Sequence, residues 1–173
     1  MKVALFGGTG FVGSYIVREL VRKGFIPKIL VRSGSLSKII SPCEVVRGDI
    51  QDKNAIIETI RGTEVVIYTI GIIREFPKKG VTFKELQLNG LKRCIESARK
   101  IDVKRFILMS ANGVRSDGTA YQTTKWQADE ALTESGLNWT IFRPSLIFVD
   151  PCGEGKPEFC TQIRDDMLSM PFP

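Results

Sequence analysis

The sequence predicts an α/β protein in which a parallel sheet is covered by helices on both faces. Short apolar runs typical of buried strands alternate along the chain with stretches of helical periodicity. The first run, Lys2–Phe6, leads directly into a glycine-rich turn and then into an amphipathic pattern. Alternation of this kind favours right-handed crossovers between parallel strands, and therefore one doubly wound domain.

The elements follow from local patterns. Strands are expected over residues 2–6, 27–31, 44–47, 64–70, 104–110 and 138–143. A helix is expected from Phe11 until Gly24 stops it, and Asp52 is placed to cap another that runs through Arg61. Further helices are expected over residues 83–99 and 121–134, with a short helical turn over 35–40 and loops over 74–80 and 112–118.

Length and composition predict one domain with a sizeable core. The chain has 173 residues, of which 43% are hydrophobic and 25% charged. We expect a nucleotide-binding domain over residues 1–150 and a tail over 151–173, where prolines and glycines leave little periodicity. The net charge of +6 is spread along the chain, which favours a basic surface that attracts phosphorylated ligands over a nucleic-acid reader.

The absence of histidine excludes several kinds of site. A Cys/His zinc site and a Ser-His-Asp mechanism both require it, and the four cysteines form no C-x-x-C pair. We therefore expect no metal, no disulfide framework and a reducing cytoplasm. Because no signal peptide or membrane-length apolar run is visible, we expect no membrane span.

The turn after the first strand predicts a dinucleotide site. Gly7 permits a tight turn, Gly10 lets backbone approach a pyrophosphate, and Gly13 lets the helix pack closely on the strand. The helix N-terminus offers free N–H groups to phosphates. A purely structural turn is the alternative, but the position between a strand and a helix favours the cofactor. The expected contacts in this turn are Gly7, Thr9, Gly10, Phe11, Val12 and Gly13.

Other loops that follow strands are candidate cofactor contacts, because ligands bind at the carboxyl ends of parallel strands. Arg32 suits a 2′-phosphate and favours NADP over NAD, with a solvated arginine as the alternative. Asp49 and Ile50 are placed to hold adenine, and a turn aspartate is equally consistent. Thr69 and Gly71 follow the fourth expected strand.

Tyr121 and Lys125 lie four residues apart and therefore on one helix face. A nearby ammonium is expected to lower the pKa of the phenol, which makes Tyr121 a candidate proton donor and acceptor. Lys125 is also expected to hold a ribose. Ser110 ends a strand and is placed to bind a substrate oxygen, although such hydroxyls often bond only to backbone.

With these motifs in sequence, the chain resembles the short-chain dehydrogenase/reductase superfamily. It is similar to the extended and atypical branch, which includes epimerase/dehydratase-like proteins and the nucleotide-binding accessory subunit of respiratory complex I. The resemblance covers about the first 150 residues, from the glycine turn through Y-x-x-x-K at Tyr121–Lys125. It implies that Asn89 supports the active site and that the backbone at Pro144 faces nicotinamide.

The resemblance implies an NAD(P)-dependent oxidoreductase or epimerase with a Tyr-Lys pair, an unidentified small-molecule substrate, and a possible homodimer. Two departures favour an alternative, a non-catalytic NAD(P)H-binding module that acts as a redox sensor or assembly subunit. Ala111 occupies the hydroxyl position of extended members, and the chain stops where their substrate domain would continue. The sequence is therefore either part of a longer protein or a small cofactor-binding protein.

Overall fold

A computed structural model describes residues 1–38, 42–148 and 159–169. Within these residues six strands form one fully parallel sheet in the order β3-β2-β1-β4-β5-β6. This is the strand order of a doubly wound Rossmann sheet, so the predicted fold class is confirmed. The strands are β1 (Lys2–Phe6), β2 (Ile26–Val31), β3 (Glu44–Arg47), β4 (Val65–Tyr68), β5 (Arg105–Met109) and β6 (Trp139–Phe142).

Helices cover both faces of this sheet. They are α1 (Phe11–Arg22), α2 (Lys53–Ile60), α3 (Gly90–Ile101) and α4 (Ala120–Thr133), while a fifth helix, α5 (Phe159–Ser169), lies in the tail. Successive residues of β1 point to opposite faces, so Val3 and Leu5 pack with Val17 of α1. Ala4 and Phe6 join the larger cluster, to which α2, α3 and α4 contribute.

The carboxyl ends of β1 and β4 meet at the point where the order of strands reverses. From β1 the chain crosses to β2 and then to β3, whereas β4 pairs with the other side of β1. Two neighbouring strands with diverging connections leave a crevice at their carboxyl ends, and nucleotides bind there in folds of this kind. The candidate site is therefore expected along this edge.

Two predicted helix boundaries are confirmed by their local geometry. The Asp52 side chain accepts hydrogen bonds from the backbone N–H groups of Asn54 and Ala55, at 2.9 and 3.2 Å. Gly24 has a φ of +77°, in the left-handed region where a side chain would be strained. Capping groups therefore give reliable local signals in this chain, because their effect does not depend on the rest of the fold.

The structure differs from the predicted elements in four places. The fourth strand is shorter than expected, and a 3₁₀ turn spans Ser33–Lys38 while residues 39 and 40 lie outside the described part. The first turns of the expected helix over residues 83–99 are π-helical, over Lys84–Asn89. A helix, α5, occupies part of the tail for which little periodicity was expected.

The domain boundary expected at residue 150 stays a prediction.

No helix in the described ranges is long and apolar enough to cross a membrane. Among the described residues, no three histidine, cysteine or acidic side chains group to bind a metal. Cys94 is fully buried in α3, and burial raises the pKa of its thiol well above the usual value.

Candidate cofactor and active site

The turn after β1 is closed by glycine backbone. Gly7 has a φ of +96°, and its carbonyl oxygen accepts a hydrogen bond of 3.0 Å from the N–H of Gly10. A Cβ atom on Gly7 would come within 2.6 Å of the Thr69 hydroxyl oxygen. Glycine at this position therefore satisfies both the backbone conformation and the close approach of β4.

The N-terminus of α1 is open to a ligand. Gly10 precedes the helix with an extended backbone, is exposed, and makes no side-chain cap. The N–H groups of the first helical residues have no partner within the helix, and no acidic residue lies in its first turn. Positive ends of this kind bind phosphate groups, so the geometry fits a pyrophosphate. The other expected contacts here, Thr9, Phe11, Val12 and Gly13, lie at this same junction.

The end of β4 lies directly beside this turn. The Thr69 hydroxyl donates a hydrogen bond of 3.0 Å to the carbonyl oxygen of Phe6, at the end of β1. Gly71, two residues further, is exposed, and a Cβ atom there would lie 3.6 Å from Nζ of Lys125. The structure thus brings Gly7, Thr69, Gly71 and Lys125 to one edge of the sheet, as expected.

Lys125 is a buried cation on α4. Its Nζ donates a hydrogen bond of 2.9 Å to the carbonyl oxygen of Met109, at the end of β5. Burial lowers the pKa of Lys125 to about 8, although the charge of Asp129 acts in the opposite direction. The ammonium is therefore fixed to backbone at the carboxyl edge and titrates close to neutral pH.

Tyr121 lies one turn before Lys125, and its ring meets the ring of Phe83 edge to face at 5.6 Å. Burial raises the pKa of the Tyr121 phenol, which corrects the expectation that Lys125 lowers it. The physical reason is that the phenol is half-buried, while the Lys125 ammonium bonds to the Met109 carbonyl. Being on one helix face does not by itself bring two polar ends together.

Ser110 and Pro144 lie together at the ends of β5 and β6. The N–H of Ser110 donates to the carbonyl oxygen of Phe142 at 2.7 Å, and the N–H of Asn112 donates to that of Pro144 at 2.8 Å. The Ser110 hydroxyl is buried and has no hydrogen-bond partner within the described part of the chain. A ligand bound at these strand ends would give this hydroxyl a partner, and Ala111 next to it is half-buried.

The adenine-side candidates lie at the ends of β2 and β3. Arg32 is exposed, and its side chain makes no hydrogen bond or ion pair to the residues described. The Asp49 carboxylate accepts from the N–H of Gln51 at 3.1 Å, which is an Asx turn, whereas Asp52 caps α2. Ile50 is only 4% exposed, so its side chain contributes mainly to the core.

Gln87 is a polar residue that the sequence reasoning missed. It lies in the π-helical segment, is buried, and donates from Nε2 to the carbonyl oxygen of Ile72 at 2.8 Å. Its Oε1 is buried without a partner among the described residues. Asn89, expected to support the active site, instead donates to Glu85 at 2.8 Å. A signal was present, because a lone glutamine on an apolar helix face needs partners.

The segment from Ile72 to Phe83 runs between the surroundings of Lys125 and those of Tyr121. It begins next to Gly71, beside Lys125, and ends at the ring that contacts Tyr121. The Glu75 carboxylate accepts from the N–H of Phe83 at 2.7 Å, and a bridge pairs Phe76 with Val81. The side chains of Gln87 and Tyr121 contact its two ends, while residues 73–80 are exposed.

Comparison with known proteins identifies the family. The model of a family described as NAD(P)H-binding matches residues 7–164 of the chain. The chain belongs to this NAD(P)H-binding family. The match begins at the glycine turn and extends over all the sites described above, so a dinucleotide is the ligand class of the domain.

Two curated relatives cover most of this NAD(P)H-binding chain. The mitochondrial 40 kDa subunit of NADH-ubiquinone oxidoreductase from Neurospora crassa is 30% identical over 83% of this chain and 40% of its own length. A ceramide reductase from Caulobacter vibrioides is 31% identical over 84% of this chain and 46% of its own length. The chain thus spans less than half the length of either relative.

A solved structure shows the same fold. UDP-glucose 4-epimerase from Thermus thermophilus, in complex with NAD, superposes with a TM-score of 0.68 at 22% identity. The match covers 83% of this chain and 54% of the epimerase chain. The family match and the likeness to the 40 kDa subunit confirm the resemblance that the sequence indicated, and the epimerase shows that the fold is shared.

Proposed function

We propose that this NAD(P)H-binding chain belongs to an oxidoreductase or epimerase-type enzyme in which Tyr121 transfers a proton and Lys125 and Ser110 assist. The observation that carries the proposal is the position of the buried Lys125 ammonium. It is held by the Met109 carbonyl beside Gly71, at the edge where the open N-terminus of α1 also lies. A cation and an anion-binding helix end on one crevice suit a charged dinucleotide.

Each residue then has a chemical role. The nicotinamide, when bound, supplies the hydride. Because burial raises the pKa of Tyr121, its phenol is protonated at neutral pH and is ready to donate to a carbonyl oxygen. The unpartnered Ser110 hydroxyl can orient that oxygen, and Lys125 can bind a ribose hydroxyl.

The experiment compares reduction of a panel of carbonyl compounds by NADPH, using the parent chain and Tyr121→Phe. We expect turnover in the parent and a loss of at least about 100-fold in Tyr121→Phe, since a positioned acid contributes that much. Tyr15→Phe, on α1, is the matched control and should keep turnover. Equal turnover in the parent and Tyr121→Phe would reject the role of Tyr121.

A second candidate is a binding module without catalysis, which acts as a redox sensor or assembly subunit. Ala111, where extended members carry a hydroxyl, favours it. The relative from Neurospora crassa is named as a subunit of a larger oxidoreductase. Binding of NADPH with no turnover on any carbonyl compound would support this candidate.

The preferred nucleotide is NADP. Arg32 is exposed at the end of β2, and its guanidinium makes no hydrogen bond or ion pair to the described residues. The planar guanidinium can donate two parallel hydrogen bonds to a 2′-phosphate. We also propose that the protein is cytoplasmic, acts on a small-molecule substrate and forms a homodimer. Sedimentation velocity of the purified chain tests the dimer.

A further inference from the structure

Asp129 is a buried carboxylate on α4. Only one of its two oxygens has a hydrogen-bond partner within the described part of the chain. Its side chain is 3% exposed, and its Oδ2 accepts a hydrogen bond of 2.8 Å from Nε of Arg143, just after β6. Its Oδ1 is buried without a hydrogen bond among the described residues. A buried ionised oxygen left unpaired is destabilising, so its presence points to another role.

The buried cation that faces the same side of α4 is Lys125. The two residues are four positions apart and therefore lie one above the other on the helix. The charge of Asp129 raises the pKa of Lys125 against the effect of burial. The carboxylate is thus close enough to influence the ammonium, while the hydrogen bond of that ammonium goes to Met109.

Within the described residues, Asp129 is the charged group that acts on Lys125. From β5 come the carbonyl of Met109 and the neutral hydroxyl of Ser110, and from the end of β4 comes Gly71, which has no side chain. On the π-helical segment and α3, Glu85 and Arg93 pair with each other. Tyr121, on α4 itself, is neutral at pH 7.

We propose that Asp129 is a positioning residue that keeps Lys125 charged at the carboxyl edge and that Arg143 regulates this effect by sharing the carboxylate. The inference rests on the proposed function, in which a charged Lys125 binds the cofactor ribose. Arg143 is half-exposed and adjoins Pro144. The ion pair therefore connects the lysine on α4 with the segment that follows β6.

This arrangement predicts that two substitutions shift the pH at which Lys125 deprotonates in opposite directions. Asp129→Asn removes the negative charge, so the Lys125 ammonium loses its stabilising partner and deprotonates at lower pH. Arg143→Gln removes a positive charge from the same carboxylate, so Asp129 acts more strongly on Lys125 and the lysine deprotonates at higher pH. A purely structural ion pair would give no such opposition, because both substitutions simply break it.

The test is an NMR titration of the Lys125 side chain in protein labelled with ¹³C-lysine, without nucleotide. We expect the midpoint to fall by about one unit or more in Asp129→Asn and to rise in Arg143→Gln. Glu130→Gln, which removes a negative charge from the next, exposed residue of the same helix, is the control and should leave the midpoint unchanged. An unchanged midpoint in Asp129→Asn, or shifts in the same direction, would overturn the proposal.

A second measurement separates this inference from the proposed function. The dissociation constant of NADPH is followed by its fluorescence between pH 6.5 and 8.5. We expect binding to weaken as the pH rises and Lys125 loses its proton, and this weakening should begin at lower pH in Asp129→Asn than in the parent. If the parent binds no NADPH, the proposed function fails while the titration still tests Asp129. If Asp129→Asn does not fold, the half-exposed Arg143→Gln decides alone: a midpoint equal to or below that of the parent rejects the proposal.

Discussion

The carbonyl oxygen of Gly7 lies where a Cβ atom of Gly13 would have to be. A side chain at Gly13 would also meet the Cα atom of Gly8 at 2.9 Å. The first turn of α1 therefore packs directly on the backbone of the turn that precedes it. This contact fixes the direction in which the free N–H groups of the helix point, and it connects stability with binding.

We expect Gly13→Ala to unfold at lower denaturant concentration and to bind NADPH weakly. The added methyl group overlaps backbone that cannot rotate away, and overpacking of this kind costs about 1–3 kcal/mol. Urea denaturation followed by circular dichroism measures the loss. Gly34→Ala is the matched control, because no atom lies within 4 Å of its added Cβ. Equal midpoints for the two variants would contradict the prediction.

Gly10→Ala should separate binding from stability. Its φ of −83° and ψ of 174° suit alanine, and the new methyl group would lie 3.2 Å from the Gly7 carbonyl oxygen. We therefore expect a smaller loss of stability than in Gly13→Ala, about 1 kcal/mol or less, because the Gly7 oxygen has to move by only a few tenths of an ångström. The methyl group does block the approach of a pyrophosphate, so NADPH affinity should fall at least about tenfold. Isothermal titration calorimetry measures the affinity, and an unchanged value would reject this site.

Arg32→Asp should reverse the nucleotide preference. The substitution removes the guanidinium fork and introduces a carboxylate that repels a 2′-phosphate but can accept from a ribose hydroxyl. We expect NADPH to bind at least about tenfold more weakly, since charge-assisted hydrogen bonds contribute 1.5–3 kcal/mol or so, and NADH to bind no worse. Arg99→Asp, an exposed change on α3, controls for net charge. Equal affinities of the parent for NADH and NADPH would defeat the idea.

Lys125→Met should stabilise the fold at neutral pH while weakening nucleotide binding. The pKa of Lys125 falls from 10.5 to about 8 on folding, so burying its charge costs up to about 3 kcal/mol at pH 7. The lost hydrogen bond to the Met109 carbonyl reduces the net gain. Urea denaturation at pH 7 measures the difference between the two proteins.

The pH dependence of this difference has a definite sign. Between pH 8 and 10.5 or so the unfolded state binds the Lys125 proton and the folded state does not, so the stability of the parent rises with pH. The advantage of Lys125→Met should therefore shrink across that range, while titrations common to both proteins cancel. An advantage that stayed constant up to pH 10.5 would show that the lysine does not titrate as described.

Local signals predicted much of the fold. The glycine turn, the Asp52 cap and the left-handed Gly24 depend on a few neighbouring residues, and each occurs where the sequence indicated. The sequence could not predict the π-helical segment, because apolar residues spaced along one helix face do not distinguish i→i+5 from i→i+4 backbone hydrogen bonds. The tail helix was missed because the prolines and glycines of residues 151–173 leave little periodicity.

The site was less predictable than the fold because its geometry depends on contacts between residues that are distant in the sequence. The spacing of residues along the chain does not reveal such contacts. The four-residue spacing placed Tyr121 and Lys125 on one helix face, but only the packing shows that the ammonium bonds to Met109. The same limit hid Gln87, which contacts Ile72 fifteen residues away. Asp129 had no sequence signal at all, since its partner Arg143 lies on another element.

The segment between Ile72 and Phe83 combines fixed ends with an exposed middle. Its ends are held by Gln87 and by the Tyr121 ring, whereas its middle is exposed. Under the proposed function, substitutions at Ile73, Arg74 or Phe76 would change the size and charge of this exposed surface while the contacts of Gln87 and Tyr121 stay in place. Selectivity for a substrate would then evolve on a short hairpin, separately from the residues proposed to carry the chemistry.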